Sequence, residues 1–296
     1  MSERKYPVVC FGEILWDILP GGTEPGGAPV NVAYHLLKHG LDPAVITSIG
    51  KDAEGNKLRE VFNERGLDTS FFAVDDNHET GKVFGKPDAD HNMRYEIVQP
   101  VAWDYIPCTT QYEALVRASK CFVYGSLAAR NEISRTSLFQ LLQVAEIKVL
   151  DINLRPPHFE KSVLLDLMQY ADILKMNEEE LALIAGFFTD STVPADQMRI
   201  LSDKLQLKVL IITLGARGAL LLQDGKIYKH DGFRVTVADT VGSGDAFLAG
   251  FLSQWLKGTG AEETLDYASR LGAFIATQKG GCPVYDPALI SSFPDC

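Results

Sequence analysis

The sequence DTVGSGDAF at residues 239–247 places a glycine-rich turn directly before an apolar helical pattern. Apolar residues recur at three- and four-residue spacing over 247–256, which predicts a helix beginning in this stretch. The backbone N–H groups of Gly242, Ser243 and Gly244 would then lie free at the positive end of the helix dipole. Such an arrangement favours binding of a phosphate or stabilisation of a developing oxyanion.

Asp245 is an unusual residue to find at an anion site. Its carboxylate repels a bound phosphate, unless it serves to take a proton from an attacking hydroxyl. A phosphate-binding turn beside such a base is typical of phosphoryl transfer to an alcohol. The alternative is a plain glycine turn with Asp245 as a helix-cap residue, because short glycine motifs recur by chance. The rest of the sequence is needed to distinguish a phosphoryl-transfer site from a plain capped turn.

Composition limits the class of protein. The chain has 296 residues, of which 46% are apolar, so we expect residues 1–296 to form one α/β domain with a small appendage. A net charge of −11 with scattered Lys and Arg argues against nucleic-acid or anionic-membrane partners. The absence of an apolar signal core or membrane-length apolar run predicts a cytoplasmic protein. The cysteines show no CxxC spacing and are expected to be reduced thiols: Cys10, Cys108, Cys121, Cys282 and Cys296.

Strand and helix patterns alternate along most of the chain, which predicts a mostly parallel sheet. The predicted strands are 8–11, 44–49, 121–124, 148–152, 172–176 and 209–213, with a hairpin at 219–222 and 226–228. The predicted helices are 31–40, 57–65, 135–146, 164–170, 177–185, 197–205, 247–256 and 262–277. Residues 21–29 are rich in Gly and Pro and predict a loop.

Alternation stops between about residues 67 and 105. Three short strand patterns at 71–74, 80–86 and 94–98 follow one another without a helix, with polar turns at 75–77 and 88–90. We expect a small antiparallel flap that could close over a site and exclude water. A purely structural β-meander is the alternative.

Polar residues follow the ends of several predicted strands. Ligands of open α/β sheets bind outside the carboxyl ends of strands. Each residue has a structural alternative: a turn for Asp17, an Asx turn for Asn153, a surface ion pair for Arg155 and a helix cap for Asn177. Their joint placement at one edge, with Gly215 after the 209–213 strand, favours a ligand site.

Two long signatures carry a family resemblance. GGAPVNVA at 26–33 matches the pattern GG-x-x-x-N-x-A, and DTVGSGDAF at 239–247 matches D-T-x-G-x-G-D-x-F. With these, the chain resembles the ribokinase-type (PfkB) carbohydrate kinases over essentially its full length. The sequence GGAPxNVA, the pair Glu13 and Asp17, and D-x-N-x-R at 151–155 are most similar to fructokinases. The resemblance implies a ribokinase-like three-layer α/β/α sandwich with a mostly parallel central sheet and a small antiparallel β-lid from about 12–30 and 67–105.

The resemblance also implies roles for residues around the phosphate. Asp245 would be the general base, Arg155 would neutralise phosphoryl charge, and the N–H groups of Gly242, Ser243 and Gly244 would form the anion hole. The residues implied to bind the sugar are Asp17, Gly27, Asn31, Asn153 and Asp245. Lid side chains that could touch the substrate are Phe84, Arg94 and Tyr95.

The implied cofactors are ATP and Mg²⁺, with K⁺ left open. The implied nucleotide-binding residues are Asn177, Thr213, Gly215, Gly218, Gly242 and Gly244. Asn177 and Glu180 fit an N-x-x-E motif in which Glu180 organises Mg²⁺ through water. Asp239, Val241 and Gly280 would bind a monovalent cation, but residue 284 is Val where some relatives offer a hydroxyl.

Chemistry narrows the acceptor to a hydroxyl, since Asp245 accepts a proton and no Cys or His nucleophile is evident at the site. No Arg/Lys cluster surrounds 21–31, so we expect an unphosphorylated sugar, and the resemblance indicates D-fructose. Other acceptors stay open: 2-keto-3-deoxygluconate (with Arg94 as its cation), ribose or a nucleoside. A non-catalytic sugar or nucleotide sensor is an alternative of another class, against which Asp245 argues. A dehydrogenase is rejected because no G-x-G-x-x-G follows the first strand. A protruding flap could also pair with that of a second subunit in a homodimer.

Overall fold

The structure, a computed structural model, describes residues 5–87 and 93–293. The predicted turn at 88–90, the side chain of Arg94 and Cys296 lie outside the described residues. Within those ranges, none of the helices combines the length and apolar character needed to cross a bilayer.

The predicted strands lie at nearly their predicted places, but the strands at 15–19 and 22–26 were not predicted. In chain order they are β1 (Val8–Phe11), β2 (Leu15–Leu19), β3 (Gly22–Gly26), β4 (Pro43–Gly50), β5 (Phe72–Asp75), β6 (Gly81–Pro87), β7 (Met93–Ile97), β8 (Cys121–Gly125), β9 (Ile147–Asp151), β10 (Ile173–Asn177), β11 (Val209–Thr213), β12 (Ala219–Gln223) and β13 (Lys226–His230).

The helices lie between them. In chain order they are α1 (Ala28–Lys38), α2 (Ala53–Glu64), α3 (Thr110–Ala118), α4 (Glu132–Leu142), α5 (Lys161–Tyr170), α6 (Glu178–Ala185), α7 (Pro194–Leu205), α8 (Ser243–Trp255), α9 (Ala261–Ala276) and α10 (Ala288–Ser291).

Nine strands form the central sheet, in the order β13-β12-β11-β10-β9-β8-β1-β4-β5. Neighbours from β11 to β5 pair in parallel, and the hairpin β12–β13 adds two antiparallel strands at one edge. Strands such as β1 and β4 are buried along their whole length, as expected for parallel strands covered on both faces. The predicted mostly parallel sheet is confirmed.

Two apolar layers cover the sheet. Alternating residues of β1 belong to different layers: Val8 and Cys10 pack with residues of α1, α8 and α9, while Val9 and Phe11 pack with residues of α4 to α7. This alternation follows from the two-residue period of a strand. The molecule is therefore the expected α/β/α sandwich, with α1 and α8 side by side on one face.

The rest of the strands form a second sheet in the order β3-β2-β6-β7, and the strand pairing corrects three expectations. Residues 22–26 are not a loop but the edge strand β3, which pairs with β2 from Leu15↔Gly26 to Leu19↔Gly22. Gly and Pro composition cannot reveal such pairing, and an edge strand tolerates Pro25. Strand β5 belongs to the central sheet beside β4, not to the flap. Because β2 and β6 pair in parallel, the small sheet is mixed rather than purely antiparallel.

Some helix boundaries also differ from the sequence pattern. Helix α1 begins at Ala28 rather than Asn31, with Gly27 as its N-cap and Pro29 in its first turn, where proline is well tolerated. Helix α4 begins three residues earlier than the apolar pattern indicates because Asn131 caps it through Ile133 N–H. Helix α3 was not predicted at all.

Candidate active site

The N-terminus of α8 meets the first turn of α1 at Asp245. Asp245 is 8% exposed, and its Oδ2 accepts a hydrogen bond of 2.8 Å from Asn31 Nδ2. Asn31 itself accepts from Cys282, whose Sγ lies 3.0 Å from Asn31 Oδ1. The two sequence signatures therefore join through one buried contact.

The environment of Asp245 suits a base. The pKa of Asp245 is raised to about 6, mainly by burial and to a lesser extent by the neighbouring Asp151. The Asn31 hydrogen bond and the positive charges of Lys175 and Arg155 oppose this rise in pKa. The carboxylate is thus ionised near neutral pH and more basic than an ordinary aspartate, as a general base requires.

The turn before α8 has room only for glycine at its N-cap. Gly242 has φ 75°, and a Cβ on it would lie 2.4 Å from the Cα of Gly281. The N–H groups of Gly244 and Asp245 lie in the first helical turn, where no intrahelical acceptor exists. The predicted anion hole therefore has its donors at the start of α8.

Ser243 is more engaged than a pure backbone donor. Its N–H donates to Thr240 O at 3.3 Å within the turn, and its hydroxyl donates to Gly272 O at 2.9 Å. The side chain therefore ties α8 to α9. A contribution of the Ser243 N–H to the anion hole stays a prediction.

The β2–β3 hairpin is held against the site by two glycines. A Cβ on Gly26 would lie 2.3 Å from Asp17 Oδ2, and one on Gly27, which has φ 122°, would lie 2.4 Å from Glu13 O. Burial raises the pKa of Asp17 to about 6, while Arg155 lowers it. The charge of Asp245 also raises the pKa of Asp17, so the two carboxylates lie near each other, and Asn31 bonds to Asp245 directly.

The segment after β9 brings Asn153 and Arg155 to this space. Asn153 has φ 42°, a left-handed conformation that is often found at functional sites. Arg155 is exposed and donates to Leu154 O at 3.0 Å. Its charge lowers the pKa of Glu13, Asp17 and Asp245, so the guanidinium group faces the carboxylates.

A cleft on the other side of the α8 N-terminus gathers the predicted nucleotide residues. Its lining includes Asn177, Thr213, Gly215, Gly218 and Gly244. Gly218 has φ 88°, and a Cβ on it would lie 1.9 Å from His230 O, so the loop after β11 requires glycine there. Gly242, the remaining predicted nucleotide residue, does not line the cleft but caps α8 directly before Ser243, which does.

Sequence reasoning missed the opposite wall of the cleft. Small residues of α9 line it, namely Ser269, Gly272, Ala273 and Ala276, together with the apolar segment that contains Phe233, Val235 and Val237. The α9 residues recur at helical spacing, so the sequence could have predicted that they share one face of the helix. Because their side chains are small, that face leaves space for a ligand. Val237 is 55% exposed, which suits a flat apolar ligand group.

Asn177 and Glu180 form a reciprocal cap of α6. Asn177 Oδ1 accepts from Glu180 N–H at 2.8 Å, and Glu180 Oε2 accepts from Asn177 N–H at 2.8 Å. Glu180 Oε1 also accepts from Leu154 N–H at 2.7 Å, joining α6 to the loop after β9. Burial raises the pKa of Glu180. Carboxylate oxygens engaged in this way suit contact with water in a magnesium shell better than direct ligation.

Over residues 5–87 and 93–293, no group of three or more His, Cys, Asp and Glu side chains is placed to hold a metal directly. Asp239, Val241 and Gly280, the predicted cation residues, do lie together. Asp239 accepts from Val241 N–H at 3.0 Å and from Gly280 N–H at 3.1 Å. Their binding of a cation stays a prediction.

Comparisons with known proteins identify the family of the chain. The sequence profile of the pfkB family carbohydrate kinases matches residues 21–287. The chain belongs to the pfkB family of carbohydrate kinases. The enzyme is thus an ATP-dependent sugar kinase.

Several curated relatives of this kinase are fructokinases. It is 28% identical to the fructokinase of Escherichia coli, over 92% of this chain and 94% of the relative. It is 27% identical to probable fructokinase-7 of Arabidopsis thaliana, over 93% of this chain and 88% of the relative.

Solved structures of kinases that are named for different substrates share the fold of this kinase. Fructokinase of Vibrio cholerae O395, bound to fructose, ADP and a calcium ion, aligns with a TM-score of 0.83 at 23% identity, covering 98% of this chain and 99% of the other. The 2-dehydro-3-deoxygluconokinase of Thermotoga maritima aligns with a TM-score of 0.87 at 20% identity, covering 99% of both chains. The ribokinase-like fold is confirmed.

Proposed function

We propose that this kinase transfers the γ-phosphoryl group of ATP to a hydroxyl of a small unphosphorylated sugar, converting D-fructose to fructose 6-phosphate. One observation carries the proposal. Asp245 is buried at the N-terminus of α8, bonded to Asn31 on one side and adjoining the cleft of Asn177, Thr213 and Gly244 on the other. A base lies where an acceptor hydroxyl and a nucleotide phosphate would meet.

The proposed reaction is a single phosphoryl transfer from ATP to the sugar. The sugar hydroxyl oxygen forms a bond to the γ-phosphorus, the bond from phosphorus to the β–γ bridging oxygen breaks, and the hydroxyl proton passes to Asp245. Backbone N–H groups of Gly242 and Gly244 stabilise charge on the phosphoryl oxygens, and Arg155 adds a positive charge. Glu180 would hold Mg²⁺ through water, and the bound ion would supply further neutralisation of the phosphate charge.

The sugar would be held by the residues around Asp245. Asp17, Asn31 and Asn153 offer hydrogen-bond acceptors and donors to neighbouring hydroxyls, and Gly27 lets the sugar approach the backbone. A polar site of this kind discriminates strongly, because a missing hydroxyl leaves a buried polar group unpaired.

We also propose that residues 1–296 act as one kinase domain whose lid comes from about 12–30 and 67–105, except for β5, which belongs to the central sheet. Strands β2 and β3 bring Asp17 into the lid sheet. Tyr95 on β7 is 55% exposed, so it is available to cover a bound sugar or to meet the lid of a second subunit.

A monovalent cation, K⁺ by expectation, would bind beside the anion hole at Asp239, Val241 and Gly280. Asp239 accepts hydrogen bonds from the N–H groups of Val241 and Gly280, which hold the three residues in one cluster next to Gly242. This cluster supports the proposed placement of the cation.

A second acceptor is favoured by the structural comparison. The 2-dehydro-3-deoxygluconokinase of Thermotoga maritima has the same fold over nearly its whole length. A sugar acid would need a cation near the lid, for which Arg94 is the candidate.

The test is ADP release with ATP and Mg²⁺ against fructose, glucose, ribose, 2-keto-3-deoxygluconate, fructose 6-phosphate and adenosine. We expect kcat/KM for fructose to exceed that for every other acceptor by at least about tenfold. A preference for 2-keto-3-deoxygluconate would replace fructose and move Arg94 to the substrate site. Absence of turnover on all acceptors would contradict the proposed reaction.

A further inference from the structure

Lys175 is a buried cation beside the predicted anion hole. Among the lysines whose side chains the structure describes, it is the only buried one, at 5% exposure. Lysines are almost never fully buried unless they are paired. Its Nζ donates to Asp151 Oδ2 at 2.6 Å, between the ends of the adjacent strands β9 and β10.

The ammonium group points toward the start of α8. A Cβ built on Gly244 would lie 3.4 Å from Lys175 Nζ. A Cβ stands about 2.5 Å from its own backbone nitrogen, so Nζ lies within about 6 Å of the Gly244 nitrogen. One oxygen placed about 2.9 Å from each donor spans that separation. A phosphoryl oxygen bound by the Gly244 N–H can therefore also reach Lys175.

The balance of charges at the site also favours a contact between Lys175 and the phosphoryl group. Glu13, Asp17, Asp151, Glu180 and Asp245 bring carboxylates to a site that has to accept phosphate. Arg155 is exposed, whereas Lys175 lies inside, where its charge acts on both Asp245 and Glu180. Positive charge in a buried position is screened little and acts strongly on a nearby anion.

We propose that the Lys175 ammonium group donates a hydrogen bond to the transferring phosphoryl group, and that Asp151 is a positioning residue that holds it there. The ammonium group has three N–H donors, and Asp151 accepts from one of them. The inference rests on the proposed function, because it needs the phosphoryl group at the start of α8. It adds a cation that neither signature contains.

Stability alone is a weak reason for this ion pair. Replacing a buried ion pair by neutral groups of similar volume is often without effect on stability, whereas removing one partner is strongly destabilising. The pair therefore allows an experiment that separates folding from catalysis.

The experiment compares Lys175→Met, Asp151→Asn and the double variant Asp151→Asn/Lys175→Met. We expect Lys175→Met to lower kcat by about 10²–10³, the range for loss of one preorganised donor, with KM for sugar and ATP changed less than about threefold. Asp151→Asn keeps the cation and should lose less activity. The double variant should regain the melting temperature that Lys175→Met loses. Its kcat should stay as low as that of Lys175→Met.

Lys148→Met is the matched control. Lys148 lies on β9 at the other end of the strand and pairs with Asp172 at 3.9 Å. This variant should keep the parent kcat. Near-parent kcat in a folded double variant would overturn the role of Lys175, and so would a loss confined to KM. If the parent enzyme turns over a sugar but the double variant does so equally well, this inference fails while the proposed function stands.

Discussion

At the scale of single residues, the site depends on how Asp245 is held. Its carboxylate is buried, bonded to Asn31 and surrounded by charges of both signs. Asn31 is in turn fixed by Cys282, because burial keeps the pKa of that thiol far above its usual range and leaves it a donor to Asn31 Oδ1. The amide NH₂ of Asn31 is therefore directed at the base.

Asp245→Asn tests this residue directly. The change keeps the shape of the side chain but removes the group that accepts the proton, so we expect kcat to fall at least about a hundredfold. Affinity for ATP, measured by titration calorimetry, should be retained. Asp231→Asn is the control. It changes an exposed aspartate that pairs with Lys229, and it should keep the parent kcat. Near-normal turnover in Asp245→Asn would remove it from the mechanism.

At the scale of elements, the β2–β3 hairpin sets the position of Asp17. Residue 26 is opposite Leu15 in the hairpin register, and it is the absence of a side chain there that leaves room for the Asp17 carboxylate. The sequence marked this stretch as a loop because its glycines break a strand pattern. The glycine is better explained by the close approach of the neighbouring strand.

Gly26→Ala should therefore act on sugar binding. A methyl group 2.3 Å from Asp17 Oδ2 has to displace the carboxylate, so we expect KM for the sugar to rise about tenfold or more while KM for ATP stays unchanged. Gly21→Ala is a matched control in the same hairpin, since a Cβ there has no atom within 4 Å and should change neither constant. Equal kinetics for the two variants would show that Asp17 does not bind the sugar.

At the scale of the whole molecule, the site lowers the stability of the fold that contains it. Glu13, Asp17, Glu180 and Asp245 all have a pKa raised mainly by burial. A raised pKa means that the folded protein favours the protonated form. As the pH rises above the ordinary pKa of a carboxyl group, these groups therefore reduce the free energy of unfolding, as is common at functional sites.

The pH dependence of stability follows from the sign of that shift. The pKa of Asp245 rises from 3.8 to about 6, so the stability linked to its proton is complete below about pH 3.8 and is lost as the pH rises through about 6. Asp245→Asn stays neutral and should be more stable than the parent at pH 7.5 by about 2–3 kcal/mol, since one pKa unit corresponds to about 1.4 kcal/mol.

Denaturant unfolding of both proteins from pH 4 to pH 8 checks this expectation. The difference in unfolding free energy should shrink steadily toward pH 4, where the Asp245 carboxyl is protonated in the folded protein and partly so in the unfolded chain. Asp231→Asn should show no gain at neutral pH, because its partner Lys229 lowers the pKa of Asp231 instead. A difference that does not vary with pH would contradict the assigned ionisation of Asp245.

The sequence by itself determined the parallel sheet, the layering and the place of the α8 turn. Apolar runs such as 209–213 and helical spacing after Asp245 are local patterns, and local patterns report which faces of an element are buried. The 239–247 signature also fixed the place of Asp245, because the positive φ of Gly242 in the turn before it is a conformation that favours glycine.

Only the tertiary structure decided which elements meet. The pairing of β3 with β2, the place of β5 in the central sheet, the contact of Asn31 with Asp245 and the position of Lys175 beside Gly244 all join segments distant in sequence or depend on strand partners. A periodic pattern gives the buried face of a strand but not its neighbour, since many partners satisfy the same apolar face. Electrostatic effects such as the raised pKa of Asp245 arise from burial, and burial exists only once the chain has folded.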